Sequence, residues 1–328
     1  MEHVPRARDA AGARVKLVTG GAGFIGSHLT DSLIQAGHEV VILDNFATGR
    51  KDFLDTAAKT KRLKIIKGDC NEPGDLKRAL KDVDEVWHMA ADPDVRAGIK
   101  DPWSNFSDGA VLTFRVLEAM RKADVSRFVY ASSSTVYGEA KVRPTPEQYG
   151  PLMPVSPYGA SKLAGEAIVS AFVGTFGFRS WIFRFGNVVG PRSTHGVIYD
   201  FANRLRKDPR RLEILGNGRQ NKAYLSAHDC VSGMIHGLKS TQEPLNILNL
   251  ASGTTTSVDD IAHMVVEAMG LEDVKFAYTG GDRGWKGDIP VMDLDISRMR
   301  MLGWRPKHTS HEAVRQAAES VAGLRQAN

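Results

Sequence analysis

The feature that most limits how this chain can fold is a glycine run set between a strand signal and a helix signal. Residues 15–19 form a short apolar run. Gly20, Gly23 and Gly26 follow at once, in Thr-Gly-Gly-Ala-Gly-Phe-Ile-Gly-Ser-His. Glycine at these points permits a tight turn, close approach of the backbone to a pyrophosphate, and close packing of helix on strand. The amides of Phe24, Ile25 and Gly26 then open a helix and face an anion. Asp44 ends the next apolar run, at the distance of about 20 residues where a carboxylate meets the ribose hydroxyls of a dinucleotide. An acid at that point repels the extra phosphate of NADP, so NAD is the expected cofactor.

The surrounding pattern agrees with this turn. Apolar runs at 15–19, 39–43, 63–67, 85–88 and 128–131 read as buried strands, with helical stretches at 24–36, 75–80 and 111–122 between them. Such alternation predicts an α/β fold, a doubly wound parallel sheet of the Rossmann type with helices on both faces. Further strand signals occur at 180–184 and 246–250, and after residue 192 proline and glycine break up the regular alternation. We therefore expect residues 15–190 to form the dinucleotide-binding domain, joined by the late strand near 246–250. Residues 191–328 are expected to form mainly a smaller substrate-binding domain interleaved with the first. With 328 residues the chain is long enough for both.

Other classes recede on composition. No apolar run approaches the roughly 18 to 20 residues that span a bilayer. Residues 1–14 are polar, carry Arg6, Arg8 and Arg14, and read as a frayed leader rather than a signal peptide. Cys70 and Cys230 are too few for a disulfide framework, so a cytoplasmic protein is expected. The formal charge is only +5, and the cluster Arg204, Arg206, Lys207, Arg210 and Arg211 has no aromatic interleaving or nucleic-acid motif beside it. It reads as a solvated helix face or as a wall attracting an anionic nucleotide. The histidines show no metal-ligand spacing, so no metal is expected.

Tyr158 and Lys162 stand four apart in Pro-Tyr-Gly-Ala-Ser-Lys, which places both on one face of a helix. A free tyrosine titrates near pH 10. A neighbouring ammonium and the positive ring of an oxidised nicotinamide both favour the phenolate, which brings tyrosine toward use as a base. The serine-rich stretch 131–138, Ala-Ser-Ser-Ser-Thr-Val-Tyr-Gly, follows the fifth strand. Its hydroxyls fall at the carboxyl end of the sheet, where open α/β folds bind their ligands. Asp69 and Cys70, after the third strand, are placed to meet the adenine edge. Ala90 and Ala91, after the fourth, are small enough to admit the cofactor.

Taken in order, the glycine run, Asp44, His88-Met-Ala-Ala, the serine run, Tyr158/Lys162 and Arg184-Phe-Gly-Asn-Val-Val-Gly-Pro-Arg192 resemble the NAD-dependent epimerase/dehydratase family. The chain is most similar to UDP-glucose 4-epimerase-like members, over about residues 15–318. The resemblance implies that Tyr158 is the catalytic acid and base and that Lys162 binds the nicotinamide ribose and tunes Tyr158. It makes Ser133 the substrate-binding hydroxyl, with Ser134 its competitor. It extends the cofactor set to Asn45 and Gly49. It also implies that Asn187, Gly196, Val197, Lys222 and Arg283 meet a UDP-sugar, and that the chain forms a homodimer through helices near 111–122 and 158–172. Gly109 departs from the family, whose members carry asparagine there to order the active-site hydrogen bonds; Asp108 or a water is the available substitute. Family dehydratases carry a carboxylate just before Val-Tyr-Gly, where this chain has Ser134 and Thr135. The implied reaction is thus 4-epimerisation through a 4-keto sugar, of glucose, glucuronate or an N-acetylhexosamine. A 4-keto-sugar reductase and a non-catalytic NAD-binding scaffold are the other readings.

Overall fold

The computed structural model describes residues 15–323, so the expected leader at 1–14 lies outside the described residues. Six strands appear in the first part of the chain: β1 (Val15–Thr19), β2 (Glu39–Asp44), β3 (Leu63–Lys67), β4 (Glu85–His88), β5 (Arg127–Ser133) and β6 (Arg179–Phe185). Together with Leu245–Leu250 they make one seven-stranded sheet, in the order Leu245–Leu250, β6, β5, β4, β1, β2, β3. Every neighbouring pair is parallel.

A parallel sheet needs apolar cover on both faces, and the side-chain alternation of the strands supplies it. Along β5, Phe128 and Tyr130 join one core with Val86 and Ile182. Val129 and Ala131 join the opposite core with Trp87, Trp181 and Phe183. The helices Leu112–Lys122 and Pro157–Phe176 cover the first face through Val116, Leu117, Val169 and Phe172. The helices Phe24–Gln35 and Ala227–Ser240 cover the second through Leu29, Leu33, Val231 and Met234. Strand order reverses at β1, which lies between β2 and β4. That reversal opens a crevice at the carboxyl ends of the strands.

Local signals place the elements that matter most. The Pro157–Phe176 helix begins where Ser156 accepts a hydrogen bond from the Gly159 amide at 3.1 Å, with proline at the first turn. It ends at Gly177, which adopts φ +68°. Tyr158 is therefore fixed in the first turn of a long, capped helix.

After β6 the chain builds a second apolar cluster from the helices Val197–Lys207, Val258–Ala268 and Ser310–Gly323, around Phe201, Leu205, Ile261 and Val314. Leu245–Leu250 returns to the central sheet between these elements. Short strand pairs lie between the two parts. Asn187–Val189 runs parallel with Tyr224–Ser226, and Asn221–Lys222 pairs with both Val291–Met292 and Thr256–Ser257. These pairs carry Asn187 and Lys222 to the crevice. No helix among the described residues is long and apolar enough to cross a membrane.

Candidate functional site

One cavity of about 710 Å³ opens at the carboxyl ends of β1, β4, β5 and β6 and continues against the second part of the chain. Its wall contains Gly20, Gly23, Phe24, Ile25 and Gly26 from the first turn, and Ala90 and Ala91 after β4. It also contains Ser133, Ser134, Tyr158, Lys162, Asn187, Gly196, Val197 and Lys222. The fold thus brings fifteen of the residues singled out from the sequence to one cavity.

The glycines are required by geometry. Gly20 has φ +66°, and a Cβ there would stand 2.8 Å from the Ala90 backbone. A Cβ on Gly26 would meet the Gly20 carbonyl oxygen at 2.1 Å, so the helix can lie this close to the turn only without a side chain. Gly23 caps the helix in extended conformation with no side-chain hydrogen bond. The first-turn amides therefore have no side-chain cap and are available to an anion. A cradle that any side chain would fill, at a positive helix end, fits a dinucleotide pyrophosphate.

The predicted adenosine residues stand behind this wall. Both carboxylate oxygens of buried Asp44 accept backbone amides, Oδ2 from Ala22 at 2.9 Å and Oδ1 from Phe46 at 2.8 Å. Burial raises its pKa above the usual carboxylate value while the two amides act in the opposite direction. A Cβ on Gly49 would come within 2.7 Å of Asp44 Oδ1, which explains the glycine. Asn45 donates to Asp69 at 3.3 Å, and Asp69 also accepts the Asn71 amide at 2.7 Å. Cys70 is buried, and burial pushes its thiol pKa up. Thr48 is the residue of the loop after β2 that reaches the cavity. Asp44, Asn45, Gly49, Asp69 and Cys70 thus shape the loops around the cavity and do not line it.

The hydroxyl–phenol–ammonium arrangement lies at the middle of the cavity. The Ser133 hydroxyl accepts two hydrogen bonds from Thr135, from its amide at 3.2 Å and its hydroxyl at 3.0 Å. With its acceptor positions engaged, its single proton is left to turn toward Tyr158, whose pKa Ser133 acts to lower. Lys162 Nζ donates to the Ala131 carbonyl at 2.9 Å and stands 5.8 Å from the Tyr158 ring centroid. Burial pushes Tyr158 up to about 12; the Ser133 hydrogen bond pulls it down and the charge of Asp92 pushes it further up. Burial lowers Lys162 to about 8, against the opposing influence of Glu166. Lys162 is directed at a strand carbonyl, and Ser133 is the side chain that pulls Tyr158 down.

At the far end, Lys222 is held by Asp288 at 2.5 Å, with its ammonium 5.2 Å from the Trp285 ring centroid. Arg283 stands outside the cavity wall, paired with Glu139 at 2.6 Å and donating to the Asp288 carbonyl at 2.9 Å. Asn187 is the register partner of Tyr224, and both line the cavity. Sequence reasoning missed Asp92, Trp285 and Asp288, all of which line the cavity. Asp92 directly follows the alanines after β4, and that adjacency is the signal that could have found it.

Gly109, the departure from the family, packs closely against Ser161. It lies in a π-helical turn, Ser107–Val111, against the Pro157–Phe176 helix. A Cβ there would stand 1.7 Å from the Ser161 hydroxyl. An asparagine at 109 would require Ser161 to move. Asp108 lies in the same turn but is not part of the cavity wall.

This combination of a glycine cradle, a parallel sheet and a Ser–Tyr–Lys set defines a dinucleotide-dependent dehydrogenase-type protein. Residues 16–251 match the NAD dependent epimerase/dehydratase family. A putative UDP-glucose 4-epimerase of Methanocaldococcus jannaschii is 33% identical over 305 residues, 92% of this chain and 96% of the relative. A crystal structure of UDP-galactose 4-epimerase superimposes with a TM-score of 0.85 at 40% identity, covering 94% of this chain and 98% of that one. The UDP-glucose 4-epimerase of Thermus thermophilus, solved in complex with NAD, gives 0.84 at 30% identity over 95% and 100% of the two chains. The chain belongs to the NAD-dependent epimerase/dehydratase family.

Proposed function

We propose that this protein is an NAD-dependent UDP-sugar 4-epimerase that interconverts UDP-glucose and UDP-galactose. The observation that carries this reading is the single cavity in which the glycine cradle, Ser133, Tyr158 and Lys162 meet, with Ser134 and Thr135 where an eliminating enzyme needs a carboxylate. The similarity to UDP-glucose and UDP-galactose 4-epimerases along nearly the whole chain supports it.

Gly20, Gly23, Phe24, Ile25, Gly26, Ala90 and Ala91 hold the dinucleotide in this reading, and Lys162 reaches its nicotinamide ribose. Bound NAD supplies a reversible hydride acceptor. Tyr158 takes the proton of the sugar 4-hydroxyl and later returns it, while Ser133 donates to its phenolic oxygen and stabilises the phenolate form. Asn187, Gly196, Val197 and Lys222 grip the nucleotide end, so that a 4-keto sugar can turn about its bond to the diphosphate without leaving. Lys222 must exchange part of its contact with Asp288 for the diphosphate. Arg283 acts from the rim, and Asp44 serves the adenosine end by ordering the loop that meets it.

The protein acts as a homodimer in this reading, with Phe114 and Phe176, each 48% exposed, on the two helices that would pair. We place it in the cytoplasm, a compartment that suits its two free, buried cysteines. The test incubates the protein and NAD separately with UDP-glucose, UDP-glucuronate and UDP-N-acetylglucosamine, and follows the anomeric protons by NMR. A 4-epimer of UDP-glucose without net NADH is the expected result. Stoichiometric consumption of reduced cofactor would show a reductase instead.

A further inference from the structure

A buried ion pair lies one helical turn beyond the Tyr158/Lys162 face, and the mechanism above leaves it unused. Glu166 follows Lys162 by four residues and Tyr158 by eight, on the same face of the Pro157–Phe176 helix. Arg184 of β6 grips it with two bonds, Nε to Oε1 at 3.0 Å and Nη2 to Oε2 at 2.7 Å. Glu166 Oε1 also accepts the hydroxyl of Ser132 at 2.5 Å. Glu166, Arg184 and Ser132 are 5%, 3% and 2% exposed. Ser132 and Arg184 are register partners in the sheet, so a single carboxylate joins helix, β5 and β6.

The place of Ser132 gives this network its meaning. On one side is Ala131, whose carbonyl holds Lys162 Nζ at 2.9 Å. On the other is Ser133, which shares the cavity wall with Tyr158 and acts to lower its pKa. The helix presents the phenol and the ammonium, and the strand end presents the two groups that orient them. The carboxylate of Glu166 fastens one to the other at the residue between. Arg184 is itself held, with Nη1 donating to the Glu147 carbonyl at 3.0 Å and its guanidinium 4.7 Å from the Tyr137 ring centroid. A buried ion pair is a weak source of stability compared with apolar packing. Helix and sheet already share Val169, Phe172, Phe128 and Ile182 here. Stability alone therefore does not account for three buried polar groups at this point.

We infer that Glu166, braced by Arg184, is a positioning residue that keeps the 131–133 strand end aligned on Tyr158 and Lys162 through Ser132. This rests on the proposed roles of Tyr158 and Lys162. The charged groups nearest Tyr158 are Lys162, with Nζ 5.8 Å from its ring centroid, and Asp92 after β4, while Glu166 and Arg184 stand one turn beyond Lys162. Ser132→Ala alters none of them. It removes only the tether, so a changed ionisation of Tyr158 in that variant reports alignment rather than charge.

Two readouts test the inference. The first is ultraviolet difference titration of Tyr158 in NAD-saturated protein, isolated by subtracting Tyr158→Phe. The second is the split between kcat and KM for the UDP-sugar. Loss of one buried hydrogen bond to a charged group corresponds to about tenfold. Ser132→Ala is expected to move the Tyr158 midpoint up by about one pH unit and to lower kcat about tenfold, with KM and bound NAD unchanged. Ser132→Thr keeps the hydroxyl and is expected to restore both. Glu166→Leu combined with Arg184→Leu leaves no unpaired charge, and is expected to fold and to lower kcat at least as far as Ser132→Ala. A Tyr158 midpoint and kcat unmoved in Ser132→Ala would overturn the inference. So would a folded double variant with full kcat. The titration needs no sugar turnover, so an inactive parent protein would count against the epimerase reading alone.

Discussion

The two ends of the cavity are built from different materials. At the cofactor end, recognition is written into the backbone. Gly20, Gly23 and Gly26 remove side chains, and the helix amides that remain are fixed whether or not anything is bound. At the nucleotide-sugar end, side chains do the work and already have partners within the protein, as Lys222 does in Asp288 and Arg283 in Glu139. A backbone cradle suits a group that stays bound through many turnovers. Ion pairs that can be exchanged suit a group that must arrive and leave. Tyr158 stands between the two, on a helix that belongs to the cofactor half but faces both.

The largest effect is expected at this junction. Tyr158→Phe removes the proposed proton acceptor and keeps the ring, and general acid–base catalysis contributes roughly 10²- to 10⁴-fold. We expect kcat to fall about 1,000-fold with bound NAD unchanged, measured by NMR turnover and by cofactor released on denaturation. Undiminished turnover would remove Tyr158 from the chemistry and with it the division of the cavity at this point.

The cofactor end is sharpened by Gly26→Ala. The added Cβ would be driven onto the Gly20 carbonyl, a backbone atom that cannot swing away. Overpacking of this kind costs about 1–3 kcal/mol, so NAD affinity should drop about 10- to 100-fold. At saturating NAD, the KM for the UDP-sugar should stay at its parent value. A variant that binds NAD normally would show that the turn relaxes, and that the cradle is less rigid than its geometry implies.

Lys222→Met probes the other end. It deletes the proposed charge-assisted contact with the diphosphate, of about 1.5–3 kcal/mol, so KM should rise about 10- to 100-fold while NAD affinity and kcat hold. Asp288, 3% exposed, loses its partner in this variant. Lys222→Met combined with Asp288→Asn separates that structural cost from lost substrate contact. If the double variant recovers the parent KM, Lys222 serves only to neutralise Asp288, and the contrast between the two ends fails.

How much of this was legible in the sequence follows the same division. The cradle could be read because its cause is local: three glycines, a preceding strand and a following helix lie within 12 residues of one another. The strands could be read because parallel sheets buried on both faces leave continuous apolar runs. The ion pair of Lys222 could not, since Asp288 is 66 residues away and nothing in the spacing joins them. Gly109 was visible as a departure, but its neighbour, the Ser161 hydroxyl, comes from a helix packed against it in space. Asn45, Gly49, Asp69 and Cys70 were placed from the resemblance or from strand ends. The folded loops set them behind the cavity wall, where Asp44 accepts the Ala22 and Phe46 amides and Asp69 accepts Asn45.

The smallest expected effect concerns Asp92, which lines the cavity and whose charge acts on Tyr158. Its carboxylate raises the Tyr158 pKa, since a negative neighbour disfavours a second negative charge. Tyr158 acts first as a base, so turnover climbs as pH rises through its pKa. Asp92→Asn lowers that pKa and should move the acid limb of the kcat profile to lower pH, by a few tenths of a unit for a charge near solvent. The side chain is isosteric and can still accept the Asp94 amide that Asp92 Oδ1 holds at 2.9 Å, so the loop should keep its shape. A limb that moves upward instead would mean that Asp92 acts on the sugar hydroxyls and not on the phenol. Asp92 would then belong with Lys222, among the side chains that grip the substrate, and the boundary between the two ends would lie on the cofactor side of Tyr158.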